Sequence, residues 1–399
     1  MTGETGATAS EPAGADDLVE FAWTDEHADL RQAVRRLMAT RAPLDRARAV
    51  ADSGERHDAD LWRTMAEQLG LQGLAVPEEH GGFGGTLVDV ALVAEEMGTV
   101  LHGGPFLPTA VLAPAVLVPL AEHDGEAAAL LGRIAAGATT VAVAVAEGRH
   151  AWAPGLVTTR ATGAPGSERL TGRKDLVLDG ADADEVLVLA TTDSGPAWFR
   201  LDTTDGPRRE RCATLDLTRP AATLHLDDVP ARRLGGPDTD GAAVADRAAL
   251  VASVVLAAEQ VGGAAEVVRR TAEYVTTRRQ FGRPVGSFQG VKHRLADAAV
   301  RAEMARSAAY WAAFQRPGTD DFELGALVAR SHCSEAFLQT AKDGIQLHGG
   351  IGFTWEHDMH LFLRRARLDA TLLGDAAAAR ERLLAHALPD LAPSATEVA

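Results

Sequence analysis

The chain has 399 residues, of which 46% are hydrophobic and 24% are charged, and its formal net charge is −17. These values are ordinary for a globular protein with enough apolar material for a large core. Because the balance is acidic and lacks a strong basic stripe, we expect no nucleic-acid partner.

The two ends of the chain and its cysteines carry little functional signal. Residues 1–19 are small, polar and acidic, without the basic-then-apolar order of a secretion signal, and residues 389–399 are also polar. Both segments are predicted to be disordered tails. Cys212 and Cys333 belong to no metal-binding or CxxC spacing. With no long uninterrupted apolar stretch, we expect a cytoplasmic protein that contacts no membrane and holds no metal.

Residues 20–138 have the pattern of an α-helical domain. Apolar residues recur every three to four positions after Thr24, which is a good helix N-cap. A second helix is predicted to end at Gly70 before a glycine-rich loop. A third, "TLVDVALVAEEMGTVL", is apolar on two faces, which is typical of a buried helix.

The pattern changes twice further along the chain. Residues 139–235 contain short β-branched runs separated by Gly, Asp or Pro, which predicts an antiparallel β domain. Residues 241–388 are helical again, with helices predicted over 241–278, 285–315 and 321–345 and a last one from Asp375. The expected fold is therefore a multi-domain α+β protein whose C-terminal domain resembles a four-helix bundle.

The loop "RRQFGRPVGSFQ" is the first candidate site. Its glycines and proline allow a plain connection between two helices. That interpretation leaves unexplained a guanidinium, two amides and two aromatic rings, contributed by Arg278, Gln280, Phe281, Phe288 and Gln289. These groups suit a phosphate attached to a flat heterocycle.

The stretch "QLHGGIG" is the second candidate site. Gln346, Leu347 and His348 precede Gly349 and Gly350. The paired glycines indicate either a bare turn or a backbone that a ligand approaches closely. Two such loops favour a dinucleotide, although neither has the strand–turn–helix fingerprint of a Rossmann site.

These stretches resemble a known family. "RRQFGRPVGSFQGVKHRLAD", "QLHGGIGFTWEHDMHLFLRRAR" and "LWRTMAEQLGLQGLAVPEEHGGFGG" are similar to signature segments of the acyl-CoA dehydrogenase flavoproteins. The resemblance implies a tetramer with FAD between subunits. It also implies that Arg278, Gln280 and Gln289 reach the ADP half of FAD, as do residues 346–350 toward a neighbouring subunit's flavin.

The chain departs from the family where the reaction would occur. Members remove an α proton with a carboxylate, and Leu373 stands where the usual Glu is expected. The alternative position on an earlier helix falls on Ala252, away from Asp246 and Glu259. Asp375 is a weak candidate for the base and for a cofactor contact, but capping of the last helix is the favoured interpretation.

The β domain departs as well. Leu176 and Leu178 replace the Trp and Thr that members place beside the flavin, although Glu147 and Trp152 are nearby in sequence. Two hypotheses remain open. One is an FAD-dependent acyl-CoA dehydrogenase that desaturates an acyl-CoA thioester at the α,β position, alone or within a heteromeric complex. The other is a non-catalytic subunit that completes the FAD site of a paralogous catalytic subunit.

The resemblance also sets expectations for partners. It implies an acyl-CoA thioester as substrate, a homo- or hetero-tetramer with a paralogous subunit, and electron-transfer flavoprotein or a similar acceptor. The small residues after position 87 and the Gly103–Gly104 pair suggest room for a bulky, ring-bearing thioester.

Overall fold

The computed structural model describes residues 21–53, 57–148, 152–201 and 206–387. The predicted tails, 1–19 and 389–399, lie outside these ranges. The N-terminal region is helical, as predicted, and a π-helical segment over Phe106–Leu112 leads into its fifth helix. Its helices are α1 (Asp25–Arg41), α2 (Leu44–Ser53), α3 (Ala59–Leu69), α4 (Leu87–Thr99), α5 (Ala113–Ala121) and α6 (Gly125–Ala135).

Local signals in the sequence account for the ends of these helices. Thr24 accepts a hydrogen bond from the backbone N–H of His27, and the His27 side chain accepts one from Thr24 in a reciprocal cap. Gly70 ends α3 with a φ of +61° in the left-handed region, which glycine adopts at little cost. Ten of the thirteen residues of α4 are buried, so the prediction of a buried helix is confirmed.

The middle region is a β domain whose five strands β4, β2, β3, β7 and β5 close on themselves, because β5 also pairs with β4. Most pairings are antiparallel. The prediction of an antiparallel domain holds for these pairings, whereas β1 and β2 each pair with β4 in parallel. The strands are β1 (Val141–Ala144), β2 (Arg160–Thr162), β3 (Glu168–Leu178), β4 (Glu185–Thr192), β5 (Gly195–Leu201), β6 (Arg208–Arg211) and β7 (Ala221–Leu234).

The C-terminal region is helical and is organised around its first helix. Its elements are α7 (Gly241–Thr277), the short hairpin β8 (Arg279–Gln280) and β9 (Arg283–Pro284), α8 (Gln289–Phe314), α9 (Asp320–His348), α10 (Met359–Asp369) and α11 (Ala376–Ala387). By length and composition α7 is long and apolar enough to cross a membrane. Its most apolar stretch is 67% buried within the protein, as in the central helix of a bundle, so this is weak evidence for a membrane span.

Two loops of this bundle matter for function. The β8–β9 hairpin joins α7 to α8, and the glycine-rich turn at Gly349 ends α9. Because α7, α8 and α9 pack against one another, both loops are brought to the same end of the bundle.

Candidate functional site

The two loops singled out from the sequence meet in one open groove of about 550 Å³. Eight of the eleven predicted cofactor-binding residues line it, together with five that the sequence did not indicate. The predicted ones are Arg278, Gln280, Phe288, Gln346, Leu347, His348, Gly349 and Gly350, and the others are Tyr274, Val285, Gly290, Val291 and Arg294.

One wall of the groove is a stack of rings. Tyr274 lies parallel to His348 with 4.4 Å between ring centroids, and His357 lies 4.6 Å from His348 on another side. The His348 Nδ1 is 2.7 Å from the Gly344 carbonyl oxygen, one turn back on α9. Burial lowers the pKa of His348, which favours the neutral ring. The histidine is therefore a fixed, neutral part of the wall.

The paired glycines have separate explanations. Gly349 has a φ of +68°, so the turn after α9 requires it. Gly350 has no such constraint, and a Cβ added at either glycine would meet no atom of the described residues within 4 Å. The backbone here is open to a ligand, which protein packing alone does not explain.

The groove carries a concentration of positive charge in an acidic protein. Arg278, Arg279, Arg283, Lys292 and Arg294 all lie on or beside its loops. Arg278 is exposed, and the Arg283 guanidinium stacks on the Phe288 ring at 4.0 Å. Guanidinium groups, amides and open backbone N–H groups together suit a pyrophosphate.

Three predicted residues do not line the groove. Phe281 is 90% exposed at the hairpin tip, with its ring 6.1 Å from Phe288. Gln289 is the exposed first residue of α8. Asp375 accepts a hydrogen bond from the Ala378 N–H at 2.8 Å. The structure thus gives Asp375 the capping role that the sequence favoured, and not a contact with the groove.

Packed leucines surround Leu373, the position where the resemblance places the base. Leu373 lines a space of only about 30 Å³ with Leu372, Leu176 and Leu178. Leu373 and Leu176 have φ values of +56° and +50°, which is strained for leucine and typical of functional turns. The backbone here is strained, and its side chains pack as in a core.

A buried arginine, Arg330, hydrogen-bonds to the backbone of the turn that carries Leu373. Arg330 on α9 donates to the carbonyl oxygens of Leu372 at 2.6 Å and Asp369 at 3.1 Å, and also to that of Gly374. Arg330 is 3% exposed. These bonds fix the turn independently of any ligand.

The position on the earlier helix, Ala252, and the acids nearest to it in sequence were the alternatives for the base. Ala252 is fully buried in α7, and Asp246 lies exposed near the start of that helix. Glu259 is buried, and it binds Arg365 at 2.5 Å and also Arg219. A carboxylate held by two guanidiniums is poorly suited to accept a proton.

Glu259 belongs to a buried ion network that sequence reasoning missed. Arg365 also binds Asp216 at 2.6 Å, and Arg219 lies 3.3 Å from Asp369. Burial raises the pKa of Asp369 to about 7. The available signal was the arginine-rich run "RRAR", followed by Asp369 one helical turn after Arg365. The network fills the interior between the helices and the β domain.

The side chains near the expected flavin ring are also structural. Glu147 binds the buried Lys174 at 2.6 Å and accepts hydrogen bonds from Thr158 and Thr159. Trp152 packs against the main core and lines the leucine-walled space. The groove therefore fits the nucleotide end of a dinucleotide, whereas Glu147 and Trp152 are engaged in contacts within the protein.

Comparison with known proteins accounts for this architecture. The models for the N-terminal and C-terminal domains of acyl-CoA dehydrogenase match residues 24–129 and 239–388. Acyl-CoA dehydrogenase IpdE2 of Mycobacterium tuberculosis is 36% identical over 88% of this chain and 93% of its own length.

Two solved structures share the fold. A variant of the Tcur3481-Tcur3483 steroid ACAD is 34% identical with a TM-score of 0.80, covering 92% of this chain and 99% of its own. The ChsE4-ChsE5 complex from Mycobacterium tuberculosis is 28% identical with a TM-score of 0.81, covering 94% and 100%. These matches confirm the predicted fold, and the chain belongs to the acyl-CoA dehydrogenase family.

Proposed function

We propose that this chain is the non-catalytic subunit of a heteromeric acyl-CoA dehydrogenase and completes the FAD site of a paralogous catalytic subunit. FAD is the cofactor of the family. The observation that carries the proposal is the contrast between an open, arginine-bearing groove and a leucine-filled base position in the same chain.

The groove supplies what a nucleotide needs. Arg278 and Gln280 offer N–H donors to the pyrophosphate and adenosine, and the backbone of Gly349 and Gly350 is open to close approach. FAD, when bound, accepts a hydride from the β carbon of the thioester. This chain's part is to hold the nucleotide end and to fix its orientation.

In this proposal, the α proton of the thioester is accepted by a residue outside this chain. Removal of the α proton needs a carboxylate within about 3 Å of that carbon, and Leu373 has no basic atom. In this proposal the catalytic subunit supplies that carboxylate and binds the acyl-CoA. Electron-transfer flavoprotein or a similar protein would serve as the electron acceptor of the assembly.

The likeness to paired proteins supports the assembly. The Tcur3481-Tcur3483 steroid ACAD and the ChsE4-ChsE5 complex each combine two different polypeptides. By analogy we propose that the thioester handled by the assembly carries a bulky, ring-bearing acyl group.

The test compares the chain alone with the chain co-expressed with a paralogous acyl-CoA dehydrogenase subunit from the same organism that has a carboxylate at the base position. We expect flavin absorbance and thioester-dependent acceptor reduction from the co-purified complex and neither from the lone chain. Flavin and turnover in the lone chain would overturn the proposal in favour of a self-sufficient dehydrogenase.

A further inference from the structure

A second cavity lies away from the nucleotide groove. It has a volume of about 310 Å³ and opens where α2 and the start of α3 face the segment between β6 and β7. Its volume is within the range of small-molecule sites, whereas the spaces leading inward toward Leu373 hold about 20 and 30 Å³. It shares no lining residue with the groove.

Small residues keep this cavity open. Ala42, Ala47, Ala213 and Ala221 line it, with Leu61, Leu217 and Pro220 completing the apolar wall. Alanine side chains do not reach far enough to fill the space, and the apolar wall gives water few partners. The cavity is therefore suited to a hydrocarbon.

Gly103 and Gly104 line the same cavity. A Cβ on Gly103 would stand 2.0 Å from the Thr218 carbonyl oxygen, and one on Gly104 would stand 2.5 Å from the His102 Nε2. A side chain at Gly103 would therefore clash with the β6–β7 segment, and one at Gly104 would clash with the His102 ring. The glycines are required for the shape of the cavity.

Two cations, Arg46 and Arg211, line the cavity together with the carboxylate of Asp58. The side chain of Arg46 is 48% exposed and binds Asp58 through Nε at 3.0 Å. That of Arg211 is 47% exposed and binds Asp182 through Nη2 at 2.7 Å. Each guanidinium has five N–H donors, so these pairings leave donors for an anion. His102 also lines the cavity, and its Nε2 is buried without a hydrogen-bond partner among the described residues.

We propose that this cavity binds a compact apolar carboxylate, with its hydrocarbon part against the alanines and its carboxylate between Arg46 and Arg211. The apolar wall selects the hydrocarbon, the cations select the anionic group, and the volume limits the size. The inference does not depend on the role proposed for the nucleotide groove.

Cys212 provides a direct readout of occupancy. Its half-buried side chain lines the cavity, so a bound ligand shields it from alkylation. The other cysteine, Cys333, is 1% exposed, and burial raises the pKa of its thiol to about 12, so it stays unreactive. Labelling of the native full-length chain therefore reports on one position.

The test measures iodoacetamide labelling of Cys212, by mass spectrometry, as adamantane-1-carboxylate is added to the full-length chain. Adamantane-1-carboxamide, of nearly the same shape but neutral, is the matched ligand. We expect the carboxylate to slow labelling at saturation by at least tenfold and to bind roughly tenfold more tightly than the amide. No protection, or equal affinity for both ligands, would overturn the proposal.

Two variants locate the effect. Arg211→Gln should weaken carboxylate binding roughly tenfold and leave amide binding unchanged, whereas Arg208→Gln, on the same strand but outside the cavity, should change neither. Ala47→Trp should fill the cavity and remove protection by both ligands. If Ala47→Trp fails to fold, the Arg211→Gln comparison decides alone, and an affinity equal to that of Arg208→Gln refutes the site.

Discussion

The nucleotide groove and the interior beside Leu373 differ in what holds them together. The groove is open and positively charged, and Gly350 in its wall has no packing reason to be a glycine. The interior is closed by leucines and by ion pairs in which Arg365 joins Asp216 and Glu259. A site that must receive a ligand keeps unsatisfied donors, whereas a core pairs or buries them. One region therefore presents polar groups to a ligand, whereas the other buries its side chains against one another.

The largest expected effect tests whether the interior is now a core. Arg365→Met leaves Asp216 and Glu259 buried without their shared cation, so the free energy of unfolding should fall by about 3 to 5 kcal/mol. Urea unfolding of the lone chain measures this, with Arg364→Met as the neighbouring control. A loss similar to that of the control would mean that the network is not structural.

The next effect tests the groove. Arg278→Ala removes a donor to the pyrophosphate, and charge-assisted hydrogen bonds contribute about 1.5 to 3 kcal/mol. The co-purified assembly should lose flavin on gel filtration, measured by absorbance, while the unfolding of the lone chain stays unchanged. Arg316→Ala, exposed at the far end of α8, is the control. Full flavin occupancy in Arg278→Ala would remove that residue from the site.

A smaller effect concerns the Glu147–Lys174 pair. Burial alone would raise the pKa of Glu147, but hydrogen bonds from Lys174, Thr158 and Thr159 outweigh it and lower that pKa to about 2. A carboxyl whose pKa is lowered by folding stabilises the protein above its unfolded pKa, and this contribution is lost as the pH falls through the folded pKa.

Glu147→Gln should therefore reduce the free energy of unfolding by about 1 to 2 kcal/mol at pH 7, after allowance for solvent screening. It should also flatten the loss of stability between pH 4.5 and 2. Denaturant unfolding across this pH range measures both effects, with the exposed Glu335→Gln as control. If Glu147→Gln loses stability between pH 4.5 and 2 as steeply as the unchanged protein, the Glu147–Lys174 pair does not stabilise the fold.

The smallest expected effect concerns Leu373→Glu, which we expect to gain no dehydrogenase activity. Leu373→Glu restores a carboxylate at the base position, but the surrounding leucines leave only about 30 Å³ beside it. We expect no thioester-dependent acceptor reduction by the lone chain. Measurable turnover in Leu373→Glu would show that the interior still admits flavin and substrate, and would erase the difference between the two regions.

The accuracy of sequence reasoning followed the range of the interactions involved. The caps at Thr24 and Gly70 were predictable, because they depend on residues within one helical turn. Most of the groove was predictable as well, since each loop is a continuous segment. The sequence could not exclude Phe281 and Gln289 from the lining, because a loop's composition does not tell which side chains turn outward.

The ion network lay beyond local patterns. Arg365 and Asp216 are 149 positions apart, and only the packing of α10 against the β domain makes them neighbours. The parallel pairing of β1 with β4 has the same origin, because hydrophobic alternation within a strand does not specify the direction of its partner.

By itself, the sequence determined the order of the helical and β regions, the helix caps at Thr24 and Gly70, and the resemblance to the family. Tertiary structure alone decided that the two glycine-bearing loops share one groove, that leucines and ion pairs close the interior, and that small residues from distant segments leave a second cavity. The physical reason is the sequence distance over which each kind of interaction acts. Backbone preferences and periodicity act over a few residues, whereas cavities and buried charges depend on side chains that only the folded chain brings together.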